Sequence, residues 1–346
     1  MRLLVIRTSA MGDAALTTPV LRALSYQYPD VEVVLLTRLS FKPFFYSISG
    51  LTLFFIDLRN RHKGSFGLLR LFRDIIRSGE FDIIIDLHDV LRSKVLRFLF
   101  RFKHVPSFII DKGREEKRSV ISGRRKTELK HTVERYSDTF AKAGFPVTLS
   151  DGPWIIPSPE ALSKIATITG HQEVLKVGVA PYARHKLKMW PEKYIVRLLG
   201  MISEKYKVRF FLFGGNDEAV KLSAFQYRIP GSFNTSGALD LDEELALMSR
   251  LDIMIAMDSS NMHMAALSGA EVISIWGGTD PITGFGAWMQ PNDYFIRIPV
   301  DELTCRPCTI YGKGECRRGD MACMNWITPE IVFRKIEEMV SPDYLK

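Results

Sequence analysis

Outside residues 305–323 the 346-residue chain has no cysteine, and all four, Cys305, Cys308, Cys316 and Cys323, lie inside that stretch. A secreted disulfide framework spreads its cysteines through a small domain, so this arrangement excludes one. Long apolar runs are missing as well. No stretch approaches the ~20 residues of a bilayer-crossing helix, and Arg7 interrupts Leu3–Ile6 too early for a signal-peptide core, so a cytoplasmic protein is expected. Low-complexity tracts and short-period repeats are also absent, which excludes a solenoid. With 46% hydrophobic and 25% charged residues and a mean hydropathy of +0.01, neither wholesale disorder nor a membrane bundle fits. At roughly 150 residues per domain, the length predicts two domains.

Acidic residues are scarce in the first half. Residues 1–150 hold 26 Lys and Arg against 15 Asp and Glu, whereas the rest hold 21 against 24. A basic half suits a phosphate-rich partner such as nucleic acid, anionic lipid or a phosphorylated glycolipid, or is simply a soluble basic face. No nucleic-acid-binding motif is recognisable, and the cations are not interleaved with aromatics in a stacking pattern, so nucleic acid is not the expected partner.

Strand-like and helix-like segments alternate from the first residue: strands over Arg2–Arg7, Val31–Thr37, Leu51–Asp57 and Phe81–Asp86, helices over Ala14–Leu24, Leu68–Ser78 and His131–Ala143. This is the pattern of a parallel sheet with crossover helices. Gly144–Pro159 has four prolines and two glycines and no helical period, which marks a domain boundary. The alternation then restarts at Lys176–Ala180 and runs through helix Glu192–Lys205, strand Val208–Phe213, helices Asp217–Phe225 and Asp242–Ser249, and strands Asp252–Met257 and Glu271–Trp276. The expected organisation is a domain over 1–150, a second over 160–328 carrying the Cys-rich loop 305–323, and a C-terminal helix over 329–346. Both domains are α/β, doubly wound and Rossmann-like, facing each other across a cleft at the carboxyl ends of their strands.

The residues that can carry chemistry sit at those strand ends. Gly12 and Asp13 follow the first strand, where glycine permits a tight turn and the carboxylate is either a base or a helix cap. Arg184, His185, Lys186 and Lys188 follow Lys176–Ala180; three cations within five residues suit a diphosphate, or form a solvated loop. Asp258 ends a strand, and Ser259, Ser260 and Asn261 open a helix whose free N–H groups suit an anion, with His263 one turn further in. Gly277, Gly278, Thr279 and Asp280 follow the next strand and either contact a ligand or make a plain turn.

Ile6–Asp13 with Thr17-Thr18-Pro19, Asp86 with Arg92-Ser93, and Lys188-Met189-Trp190-Pro191 occur here in order. They are followed by Phe213-Gly214-Gly215 with Asp217-Glu218, then Asp258-Ser259 with His263, Ala265 and Ala266, and Gly277–Pro281. With this set the chain resembles the ADP-heptose:lipopolysaccharide heptosyltransferases, glycosyltransferase family 9, over most of its length. The resemblance implies a GT-B fold and inverting, metal-independent transfer of a sugar, heptose from ADP-heptose, to a lipopolysaccharide core or related glycolipid. It implies Asp13 as the base and Lys188 on the donor diphosphate. Arg184, Asp258, Ser259, Ser260 and His263 fall in the donor site with Thr279 and Asp280 beside it, and Glu218 on the ribose. Gly12, Arg92, Lys112, Arg114, Lys117 and Arg118 are candidate contacts to a phosphorylated glycolipid acceptor. Ser260 stands where the family usually has glycine, and Ala183–Lys186 replace small polar residues, which leaves another nucleotide-sugar donor open. A nucleotide-sugar epimerase of the same fold would be expected to rely on paired carboxylates, and the sequence offers mainly Asp13.

The cysteine spacing C-x2-C-x7-C-x6-C has one knuckle where a zinc ribbon has two, so a structural zinc and a metal-free loop brace are both open, and no cofactor is expected for catalysis. Leu91–Phe102 reads either as an amphipathic helix making peripheral membrane contact or as a packed crossover helix with a basic exposed side.

Overall fold

The computed structural model describes residues 1–170 and 173–346. The chain divides into two compact units, Met1–Gly113 with Thr132–Ile156, and Arg114–His131 with Pro157–Lys346.

The first unit runs β1 (Arg2–Ile6), α1 (Met11–Ala15), α2 (Thr18–Gln27), β2 (Glu32–Thr37), β3 (Leu51–Phe55), α3 (Gly64–Arg77), β4 (Ile83–Asp86), α4 (Leu91–Arg101) and β5 (Ser107–Ile109). The chain then leaves for α5 (Arg114–Ile121), which belongs to the second unit, and returns as α6 (Thr132–Lys142). Its strands pair in parallel in the order β3-β2-β1-β4-β5. Leu3–Ile6 and Val33–Leu36 are buried on both sides, which is why these strands read as unbroken apolar runs. On one face of the sheet Leu4, Ile6, Val34 and Leu36 pack against Leu71 and Ile75 of α3 and Leu96 and Phe100 of α4.

The helix expected over Ala14–Leu24 is two helices. Pro19 has no N–H for the Ala15 carbonyl, and the Thr18 hydroxyl takes that carbonyl at 2.8 Å while Thr17 takes that of Ala14 at 2.6 Å, so α1 ends and α2 restarts.

The second unit runs α7 (Pro159–Thr169), β6 (Leu175–Ala180), α8 (Glu192–Lys205), β7 (Val208–Leu212), α9 (Ala219–Tyr227), β8 (Phe233–Asn234), α10 (Leu241–Met248), β9 (Ile253–Met257), α11 (Ser260–Ser268), β10 (Glu271–Ile275), β11 (Phe295–Ile296), α12 (Ala322–Asn325) and α13 (Pro329–Met339). Its parallel sheet has the order β11-β10-β9-β6-β7-β8. Val332 and Ile336 of α13 join the same core as Ile195, Leu198 and Ile202 of α8, so the C-terminal helix is part of this unit.

The stretch around α5 departs from the expected 1–150 domain. Its exit segment is tied to the second unit: the Leu129 N–H donates to the Ile282 carbonyl at 2.9 Å, Lys126 pairs with Asp301 at 2.9 Å, and the His131 ring donates to the Gly286 carbonyl at 2.9 Å. Among the described residues no helix is long and apolar enough to cross a membrane.

Candidate functional site

In the first unit the strand order reverses between β1 and β4, and the loops leaving these two strands meet there. Asp86, the last residue of β4, is fully buried; its Oδ1 accepts the N–H groups of His88 and Asp89, both at 2.9 Å, and its Oδ2 lies 3.1 Å from Arg97 Nε. That turn presents His88 to the β1 loop, where Nδ1 lies 3.1 Å from Thr8 Oγ1 and Nε2 lies 3.0 Å from Ser9 Oγ. Burial, then the charges of Arg7, Lys112 and Arg92, hold the His88 imidazole down at about 3 against the pull of Asp13. A neutral ring has one donor and one acceptor, so it receives a proton from one hydroxyl and gives one to the other.

Asp13 is the third residue of α1. Its Oδ2 lies 2.7 Å from an Arg7 Nη2 that is almost wholly buried, and the Ala10 N–H approaches the same oxygen at 3.3 Å. The arginine also donates to the Leu87 carbonyl and lies over the Tyr136 ring, whose hydroxyl donates to the Asp13 carbonyl at 3.1 Å. Asp13 therefore caps its helix and is also a carboxylate held in one orientation from below, with its side chain 31% exposed. Gly12 is buried in α1 beside it. Lys112 reaches the Asp89 carbonyl at 3.4 Å, and Arg92, half-buried at the start of α4, has its pKa lowered by burial and by Arg38.

In the second unit the residues singled out from the sequence follow β6, β7, β9 and β10 at their carboxyl ends. Lys188 Nζ lies 2.7 Å from Asp258 Oδ2, which also accepts the Thr279 hydroxyl at 2.8 Å; both charged side chains are mostly buried. Ser259 precedes α11 with extended backbone, and its Oγ, buried, has no hydrogen-bond partner among the described residues. Ser260 opens the helix and His263 is buried within it. Arg184 is exposed; with Lys188 and Lys313 it lowers the pKa of His185, after burial, while Asp258 raises it. Glu218 stands off beyond β7, its carboxylate accepting the Gly215 N–H at 3.0 Å.

Asp280 and Gly277, beside that cluster, are tied into the surrounding protein. The Asp280 carboxylate is 1% exposed and pairs with Arg306 at 3.0 Å and with Arg297. Arg306 in turn donates to the carbonyls of Gly277, Ile298 and Thr279, so this acid holds the loop that carries Thr279. Gly277 is packed closely by its neighbours: a Cβ there would meet the Leu187 carbonyl at 2.8 Å and the Met324 side chain at 2.6 Å. Its neighbour Gly278 donates to the Leu187 carbonyl at 2.8 Å, tying this loop to the one bearing Lys188.

The six residues expected to contact an acceptor do not gather in one unit. Gly12, Arg92 and Lys112 lie in the first, whereas Arg114, Lys117 and Arg118 lie on α5 in the second, where Lys117 is buried with its ammonium 3.9 Å from the Phe285 ring centre. Sequence reasoning passed over His88, whose signal was its place directly after a strand. It also passed over Gly312 and Lys313, which only the folded Cys-rich loop brings to Lys188 and to His185: a Cβ on Gly312 would lie 2.7 Å from the Lys188 Cγ and Cε, and the charge of Lys313 acts on the His185 ring.

The model of glycosyltransferase family 9 (heptosyltransferase) matches residues 68–308. Lipopolysaccharide heptosyltransferase 1 of Escherichia coli O18:K1:H7 is 24% identical, covering 88% of this chain and 94% of its own length. Among solved structures, a glycosyl transferase family 9 protein from Veillonella parvula superposes with a TM-score of 0.73 at 18% identity, covering 98% of this chain and 96% of that one. The E. coli heptosyltransferase WaaC with ADP-2-deoxy-2-fluoro heptose gives 0.68 at 19% identity, covering 98% and 100%.

Proposed function

The chain belongs to glycosyltransferase family 9 and has the two Rossmann-like domains of the GT-B fold, and we propose that it transfers heptose from ADP-heptose to a lipopolysaccharide core or related phosphorylated glycolipid. The reaction in this reading is one inverting displacement. The acceptor hydroxyl gives its proton to Asp13 as its oxygen bonds to the anomeric carbon, and the bond from that carbon to the diphosphate breaks with its electron pair leaving on the nucleoside diphosphate. The observation that carries the reading is the Lys188–Asp258–Thr279 cluster beside the N-terminus of α11. Charge developing on the leaving diphosphate meets a lysine already fixed in place, the N–H groups of Ser260 and Asn261, and the cations Arg184 and Lys313, which together supply the stabilisation that a divalent metal would otherwise supply. Asp258 is itself an anion, so its part is to aim Lys188 rather than to touch phosphate. Asp280 is a positioning residue through Arg306. Ser259, Ser260 and His263 complete the donor pocket, and Glu218 faces the ribose. Arg7 and His88 fix Asp13 and the Thr8–Ser9 turn, while Arg92 and Lys112 bind acceptor phosphate. The acceptor is lipid-linked, so the protein works peripherally at a membrane.

The four thiols line one cavity of about 190 Å³ together with Leu187, Gly278 and Arg306. They do not converge on a point: among the described residues no group of three or more His, Cys, Asp or Glu side chains is placed to hold a metal. Burial, with Arg306 acting against it, pushes the Cys323 thiol up to about 11, and burial raises Cys308. The loop serves as a brace against Leu187 and Gly278, the Cys308 N–H donating to the Gly278 carbonyl at 3.0 Å.

A thermal-shift panel of ADP, UDP, GDP and CMP in EDTA tests the function. Ligand at ~100 times its dissociation constant stabilises the fold by about 2.7 kcal/mol, a shift of a few degrees. Selective stabilisation by ADP is expected. Selective stabilisation by UDP or GDP would replace the sugar and keep the chemistry, and no response to any nucleotide would overturn the reading.

A further inference from the structure

Helices α3 and α4 lie side by side on one face of the first sheet, with Phe72 and Phe100 edge to face at 4.9 Å beneath them. Their inward residues, Leu71, Ile75, Leu96 and Phe100, fill the core. Their outward residues are not what a solvated helix shows. Phe66 is 80% exposed, Leu91 79%, Phe98 59% and Phe102 70%, and the last two rings meet edge to face at 5.1 Å. They recur at i, i+7 and i+11 along α4 and its exit, on the stripe that also carries Lys94 and Arg101; on α3 the exposed stripe is Phe66, Leu69, Arg70, Arg73 and Arg77.

Charge completes the pattern. Residues 59–78 and 91–104 together hold eleven Lys and Arg and one acid, Asp74. Asp74 is taken by Arg61 and Arg77, and Arg97 is turned inward to Asp86 and Asp89. Arg70, Arg73, Arg101 and Lys103 make no ion pair among the described residues. A second copy of the chain would bring a like field against this one, and a protein partner needs acids that nothing here specifies. Phenylalanines standing among unpaired cations on two adjacent, parallel-lying helix faces match the interface of an anionic bilayer, where rings enter the headgroup boundary and long cationic side chains reach lipid phosphate.

We infer that the outward faces of α3 and α4 are a membrane-docking surface that seats the first unit on anionic phospholipid. This rests on the proposed use of a lipid-linked acceptor only for its purpose, because Arg92 stands in the first turn of α4, near His88, and docking by the outward face of that helix sets the acceptor-phosphate residues at the lipid surface. Vesicle binding itself requires no substrate, so either reading can fail alone.

The test is co-sedimentation of the full chain with phosphatidylcholine vesicles, with and without 30 mol% phosphatidylglycerol, at low and high salt. Binding is expected only to the anionic vesicles. Arg70→Gln/Arg73→Gln/Arg101→Gln should weaken it on the order of 100-fold, at ~5-fold per cation near the surface. Phe66→Ser/Phe98→Ser/Phe102→Ser should abolish the part of binding that survives high salt, with the melting temperature of both variants near that of the parent. Equal binding to neutral vesicles, or parental binding by either variant, overturns the inference. Loss in the arginine variant alone, with single-stranded DNA competing as well as lipid, would make this a polyanion site and overturn it too.

Discussion

Gly312→Ala isolates the link between the Cys-rich loop and the donor lysine. Gly312 has φ +78, and a Cβ there would stand 2.7 Å from Lys188 Cγ and Cε and 3.0 Å from Cδ. The left-handed backbone alone costs an L-residue roughly 1–2 kcal/mol. The contact falls on a side chain, so the cheapest relief is for the lysine to swing away. Its ammonium is held 2.7 Å from Asp258 in a mostly buried site, and swinging forfeits that ion pair and the aim at the diphosphate. A hydrogen bond to a charged group contributes about 1.5–3 kcal/mol, so ADP affinity should fall about 10- to 100-fold. Gly314 provides the control: it has φ +100 and its Cβ would meet nothing within 4 Å. Gly314→Ala should lose comparable stability in a urea melt and keep its ADP dissociation constant, measured by titration calorimetry. Equal ADP affinity in the two variants would refute the reasoning and leave Gly312 a matter of backbone shape. Lys188→Ala should weaken ADP by a similar factor, and the double variant should be no weaker than Lys188→Ala alone.

Asp13→Asn keeps the size of the side chain and removes the base; turnover should fall 10²- to 10⁴-fold with ADP affinity unchanged, and near-parental turnover would reduce Asp13 to its capping role. His88 and His131 are both held at about 3 chiefly by burial, so both stay neutral in the fold. The unfolded chain takes up their protons below about 6.5, so their contribution is complete above that pH and is lost as the pH falls toward 3, at about 1.4 kcal/mol per pH unit for each ring. His88→Asn should flatten the acid limb of the melting temperature against pH; an unchanged slope would place the ring in water. Arg306→Met strands the buried Asp280 carboxylate with Arg297 alone and should cost about 3–5 kcal/mol of stability by urea melt, and a loss under 1 kcal/mol would mean the pair holds nothing in place.

Residues 2–6, 32–37, 176–180 and 253–257 declared their strands through local composition, because a parallel strand buried on both faces must be apolar throughout. That same periodicity set the α/β class, the two-unit count and the position of Asp13, Lys188, Asp258 and Thr279 at strand ends, which is where such sheets bind ligands whatever their loops. The order of those motifs along the chain carried the family. What the sequence could not hold was pairing across long separations. Arg114–His131 reads as part of the basic first half, yet its hydrogen bonds at Leu129 and His131 are made to residues beyond 280, so tertiary contacts assign it to the second unit. Asp280 follows a strand in the sequence, and only the fold shows that Arg306, a chain neighbour of the cysteines, pairs with it. Gly312 looks like one loop glycine among several, and only its approach to Lys188 gives it a task. On α3 and α4 the sequence shows cations and aromatics, and only the packing of Leu71, Ile75, Leu96 and Phe100 decides which rings are left facing out. Local physics writes the elements; which side chain answers which charge is settled when distant segments close on one another.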